Sequence, residues 1–82
     1  MYEIFLSDKA SEQLSKLSQD IGNRIGHAIE KIRIRPEHFL EKLVGSPYYK
    51  LRVGDYRLIL DIRRNDLIIF VIELGHRRNI YK

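Results

Sequence analysis

Around a Gly54-Asp55 pair the chain sets three cations, Lys50, Arg52 and Arg57. Runs of alternating residues flank the pair, 48–53 before it and 56–62 after it. A Gly-Asp pair between two such runs predicts a β-hairpin with a primed turn. With a two-residue turn, Val53 faces Tyr56 and Arg52 faces Arg57. Side chains alternate along a strand, so Tyr49, Leu51 and Val53 take one face and Lys50, Arg52 and Arg57 the other. Like charges directly opposite one another on a sheet cost a few tenths to about 1 kcal/mol. A bound polyanion removes that cost, so the cluster predicts a phosphate site. The alternative is neutralisation by Asp61, on the strand face of Arg57, and by Glu73.

A second basic group, His76, Arg77 and Arg78, follows the last apolar run and leads to Tyr81. It reads either as a solvated terminus or as the other wall of the same pocket. In the second reading arginine holds phosphate bidentately while an aromatic ring stacks on a base, which is the chemistry of RNA recognition. Other chemistries find no residues. The absence of Cys excludes disulfides, thiolate zinc sites and a cysteine nucleophile. His27, His38 and His76 lack metal-ligand spacing, so no metal and no cofactor are expected. Gly22 and Gly26 fall inside a helical pattern rather than in a phosphate loop. The basic face lacks the paired carboxylates of glycoside chemistry.

The formal net charge is +4, from 15 Lys and Arg against 11 Asp and Glu. The distribution is uneven. Glu3, Asp8, Glu12, Asp20, Glu30, Glu37 and Glu41 precede the hairpin, and only Asp55, Asp61, Asp66 and Glu73 follow Tyr49. A basic second half invites a polyanionic partner. Residues 1–6 carry no basic region followed by a long apolar run. The longest apolar run, 67–72, is too short for a bilayer. A cytoplasmic protein without membrane contact is expected.

The elements that must position these residues are legible in outline. Residues 1–6 alternate as a short strand. Ser7 and Asp8 are N-cap residues, and Ala10, Leu14 and Leu17 recur at helical spacing over 8–17. Ser18 caps a second helix whose apolar stripe is Ile21, Ile25, Ala28, Ile29 and Ile32, and Arg35-Pro36 ends it. Residues 37–47 read as a loop with a short turn around 39–43. Arg64-Asn65-Asp66 makes a second turn, and 67–74 is a last strand, apolar at nearly every position and therefore expected to be central and covered on both faces. The 82 residues make a single domain with an α+β fold: a strand–helix–helix–three-strand meander, a small mainly antiparallel sheet with two helices packed on one face. Nothing remains to cover the other face, where the cations lie.

The run from Tyr49 to Leu58, the preceding Lys42-Leu43-Val44-Gly45 and the tail Gly75-His76-Arg77-Arg78-Asn79-Ile80-Tyr81 resemble the RelE branch of the RelE/ParE toxin superfamily, over essentially the whole chain. The resemblance implies the toxin of a type II toxin–antitoxin system, partnered by a RelB-like antitoxin. It implies a metal-independent endoribonuclease (mRNA interferase) that enters the ribosomal A site, cuts mRNA there by 2′-hydroxyl attack on the adjacent phosphate, and arrests translation. Carried over by position, Lys50 and Arg52 match the basic hairpin positions with base and charge-stabilising roles. Arg57 matches the arginine that holds the phosphate, and Arg77 the one that stabilises or protonates the leaving group. Tyr81 is similar to the tyrosine that stacks on a base. Arg78 and His76 join the RNA-binding surface. Arg52 departs from the lysine usual there and, as arginine, is a poor base. The base is then Lys50, His76 or no side chain. Two rivals share much of the pattern: a ParE-like inhibitor of DNA gyrase, and a non-catalytic module that binds RNA or the antitoxin.

Overall fold

A computed structural model of the protein describes residues 1–76, so Arg77, Arg78 and Tyr81 of the predicted site lie outside the described residues. The chain forms β1 (Glu3–Leu6), α1 (Asp8–Ser15), α2 (Gln19–Ile34), a 3₁₀ turn (Pro36–His38), β2 (Glu41–Lys42), β3 (Tyr49–Val53), β4 (Tyr56–Arg63) and β5 (Ile68–His76). The strands make one sheet in the order β1-β5-β4-β3-β2, with β1 parallel to β5 and the other pairs antiparallel. The expected α+β order and the two-helix layer are present.

Local chemistry accounts for the helix limits. Ser7 is extended and its Oγ accepts the Ala10 N–H at 3.0 Å, closing the open first turn of α1. The same hydroxyl donates to the Ile72 carbonyl at 2.5 Å, so one side chain both caps α1 and pins it to β5. Ser18 caps α2 through the Ile21 N–H. α2 stops at Arg35 because Pro36 denies that residue a helical conformation.

Ala10, Ile25 and Ile32 pack from the helices onto Leu51, Leu58, Leu60, Ile69, Val71 and Leu74. Val71 and Leu74 are three residues apart, yet both face the core. The pairing explains it: Leu60 faces Val71 and Ile59 faces Glu73, so β5 carries one extra residue at a bulge. The bulge resets the alternation.

Three expectations require correction. β5 runs between β1 and β4 as expected, but among the described residues only one of its faces is covered. Ile68 and Phe70 lie half-buried on the other, where Phe70 stacks on Phe5 with centroids 5.7 Å apart and Arg63 lies 5.5 Å from the Phe70 ring. The unbroken apolar run thus reflects a bulge and an aromatic patch. Leu67 does not open the strand; it sits in the turn with φ 55°, a left-handed conformation unusual for leucine. The segment before the hairpin is not all loop. The turn comes earlier, at Pro36–His38, and Glu41–Lys42 form an edge strand, with Glu41 facing Lys50 and Lys42 facing Tyr49.

Pairing of β1 with β5 ends at Leu6–Val71. Beyond it α1 satisfies the exposed edge of β5, as buried backbone polar groups require. Gln13 Oε1 accepts the Leu74 N–H at 2.8 Å, and Lys9 pairs with Glu73. Among the described residues no helix is long and apolar enough to cross a membrane, and no group of three or more His, Asp or Glu could hold a metal ion.

Candidate functional site

The β3–β4 hairpin positions the cations as its register dictates. Gly54 has φ 59°, the positive value that a primed turn needs at its first central position. Val53 then faces Tyr56, Arg52 faces Arg57, and Lys50 faces Ile59. The three cations share the sheet face opposite the helices, but their exposures differ. Arg52 is exposed and Lys50 half-buried, whereas Arg57 is only 7% exposed. A guanidinium withdrawn from water acts on a nearby anion through a lower effective dielectric than a surface one does.

These side chains line a pocket of about 250 Å³ together with Phe39, Glu41 and Leu51. Glu41 was not foreseen. It enters because β2 pairs with β3 and sets it opposite Lys50, and its carboxylate lies 3.7 Å from Lys50 Nζ. Phe39, 45% exposed, forms the rim. The carboxylates of the alternative reading are engaged elsewhere, Asp61 with Arg63 at 3.2 Å and Glu73 with Lys9.

The structure therefore brings Lys50, Arg52 and Arg57 together. It sets His76 apart: His76 faces Tyr56 and meets its ring edge-on at 5.5 Å, on the side of Leu58 and Leu74 rather than that of Arg57. Not all the basic charge of the second half serves one site. Arg64 lies beside the hydroxyls of Tyr49 and Tyr2, which raise its pKa above the ordinary arginine value, and it approaches Glu37 at 3.6 Å. That clamp joins β3 and the N-terminus to the 3₁₀ turn, away from the pocket.

Chemically, the pocket offers one withdrawn and two more accessible cations around a space that fits a phosphodiester, with one carboxylate at its edge. Cations so fixed before a reaction stabilise negative charge that develops there.

The comparisons with known proteins agree with this architecture. Residues 4–81 match the family model described as the ParE toxin of type II toxin–antitoxin system, parDE. The fold is similar to a chain of the archaeal RelE–RelB complex from Pyrococcus horikoshii, with TM-score 0.81 and 25% identity over 95% of this chain and 97% of that one. It is similar to a chain of the intact E. coli RelBE toxin–antitoxin complex, with TM-score 0.80 and 26% identity over 93% of this chain and 96% of that one. A chain of the RelBE2 complex from Mycobacterium tuberculosis shares the fold at TM-score 0.85 and 22% identity, over 93% of this chain and 98% of that one. No curated protein sequence matches. The family match spans nearly the whole chain, the sheet and helices superpose on RelE toxins, and this protein belongs to the RelE/ParE superfamily as the toxin of a type II toxin–antitoxin system.

Proposed function

We propose that the protein is a ribosome-dependent endoribonuclease that cuts mRNA in the A site. The observation that carries this reading is the withdrawn Arg57 guanidinium, flanked by Arg52 and Lys50 in a pocket whose edge holds Glu41. Opposed arginines on a small sheet suit a bound phosphate, which relieves their repulsion, and phosphoryl chemistry uses the same charges. The ribose 2′-oxygen attacks the adjacent phosphorus and the bond to the 5′-oxygen breaks, leaving a 2′,3′-cyclic phosphate and a 5′-hydroxyl. Arg57 and Arg52 stabilise the extra negative charge of the phosphorane. In the Lys50–Glu41 ion pair the carboxylate is the proton-accepting partner, so Glu41 takes the 2′ proton and Lys50 holds that carboxylate and the phosphate. The proton for the leaving oxygen falls to the tail, where the resemblance assigns Arg77.

The partner in this reading is an antitoxin with acidic segments that cover the basic pocket, as expected for a chain that orders on binding. Co-expression with the neighbouring reading frame should yield a complex that is inactive on ribosomes.

One observation favours a second reading: the matching family model is that of the ParE toxin. A gyrase-directed binding protein has no need of a cleavage step. The separating experiment incubates purified, antitoxin-free protein with ribosomes programmed with a defined mRNA and, in parallel, with gyrase and relaxed plasmid. The proposal predicts A-site cuts and unimpaired supercoiling. Blocked supercoiling with intact mRNA establishes the second reading.

A further inference from the structure

Beside the pocket, between α2 and the β3–β4 turn, runs a larger groove of about 450 Å³ lined by Asp20, Asn23, Arg24, His27, Lys31 and Arg52, among others. Arg24, His27 and Lys31 are spaced i, i+3 and i+7 and therefore stand on one helix face, spanning about 10 Å along the axis. The guanidinium of Arg24 reaches across to the turn; a Cβ built on Gly54 would lie 3.8 Å from its Nη1. Arg52 lines both cavities, so the groove and the pocket meet at that side chain.

A charged helix face is ordinarily a solvated surface with its cations paired along the helix, and elsewhere this protein follows that rule. Lys16 pairs with Glu12, and Arg33 with Glu30. The groove differs. Arg24, Lys31 and Arg52 are exposed, and among the described residues none of them makes an ion pair. Against these three cations the groove has one carboxylate, Asp20. The groove is concave, carries this excess positive charge over a partly apolar floor of Ala28 and Val53, and adjoins the pocket at Arg52, which suits a phosphate backbone.

We propose that this groove is a second phosphate-binding track, in which Arg24 and Lys31 hold the RNA strand as it leaves the cleavage pocket past Arg52. The assignment of RNA as ligand rests on the reading of the neighbouring pocket, but the test does not depend on cleavage. A short fluorescent uridine oligonucleotide is titrated with wild-type protein and with the Arg24→Gln/Lys31→Gln double variant over a range of salt concentrations, and binding is read by anisotropy. Both positions are exposed, and circular dichroism melting checks that the variant is folded. Each phosphate contact to a single strand contributes about 0.7 to the slope of log K against log salt, so the variant should lose about 1.4 from that slope. An unchanged slope overturns the proposal, as does wild-type protein that fails to bind the oligonucleotide. A double variant that binds RNA normally but loses an antitoxin also overturns it, because the groove is then a protein surface. A reduced slope in a protein that cuts no mRNA keeps the track and removes the cleavage reading; normal cutting with an unchanged slope does the reverse.

Discussion

Replacing Arg57 by methionine should separate stability from activity. Methionine keeps an unbranched stem in the space that the nearly buried Arg57 fills, and it removes one of two like charges facing each other across the hairpin. Relief of that opposition is worth about 0.2–1 kcal/mol. A change of 1 kcal/mol moves Tm by roughly 4–8 °C in a domain of 60–100 residues. Set against the contacts that Arg57 itself makes, this relief should leave Arg57→Met melting within about 8 °C of the wild type. Its effect on cutting should be much larger. Loss of one preorganised group that stabilises developing charge costs about 10²–10³ in rate. Melting is followed by circular dichroism, and cutting by single-turnover kinetics on programmed ribosomes. A variant that melts well below the wild type yet cuts normally refutes the reasoning, since Arg57 would then be a structural residue. Equal losses of folding and activity also refute it.

Other consequences follow from single contacts. Glu41→Gln keeps the shape of the pocket edge and removes its proton acceptor; cutting should fall by about 10²–10⁴ while mRNA binding holds, and normal single-turnover rates would exclude Glu41 from the chemistry. Ser7→Ala removes both the cap of α1 and its bond to the Ile72 carbonyl, and should cost about 1–2 kcal/mol in denaturant unfolding. Leu67→Asn should gain about 0.5–1 kcal/mol, because asparagine tolerates the left-handed turn better and Leu67 is 48% exposed; a lower melting temperature would show that Leu67 packs more than its exposure suggests.

The sequence disclosed the hairpin register because a Gly-Asp turn and period-two alternation leave one way to pair it. That register was enough to put Arg52 opposite Arg57 and Lys50 on the same face. It could not disclose that Arg57 is withdrawn from water, since burial depends on what else lines the pocket. Glu41 was hidden for a different reason: a strand of two residues shows no alternation, and its place comes only from pairing with Lys50 and Tyr49. The bulge in β5 misled the reading of that strand, because an extra residue turns a one-sided pattern into a continuous apolar run. His76 looked like part of the basic tail, yet the same bulge-shifted register aligns it with Tyr56. The α2 groove escaped notice because Arg24, His27 and Lys31 look like any polar helix face until the hairpin turn is folded against them.

The central claim is that Arg57, Arg52 and Lys50 hold a scissile phosphate. Its most direct test is primer extension on ribosomes programmed with a defined mRNA, comparing wild-type protein with Arg57→Ala and Arg77→Ala. The account predicts cuts within the A-site codon that disappear in both variants. Intact mRNA with folded, antitoxin-free wild-type protein would contradict it, as would cuts that persist without Arg57.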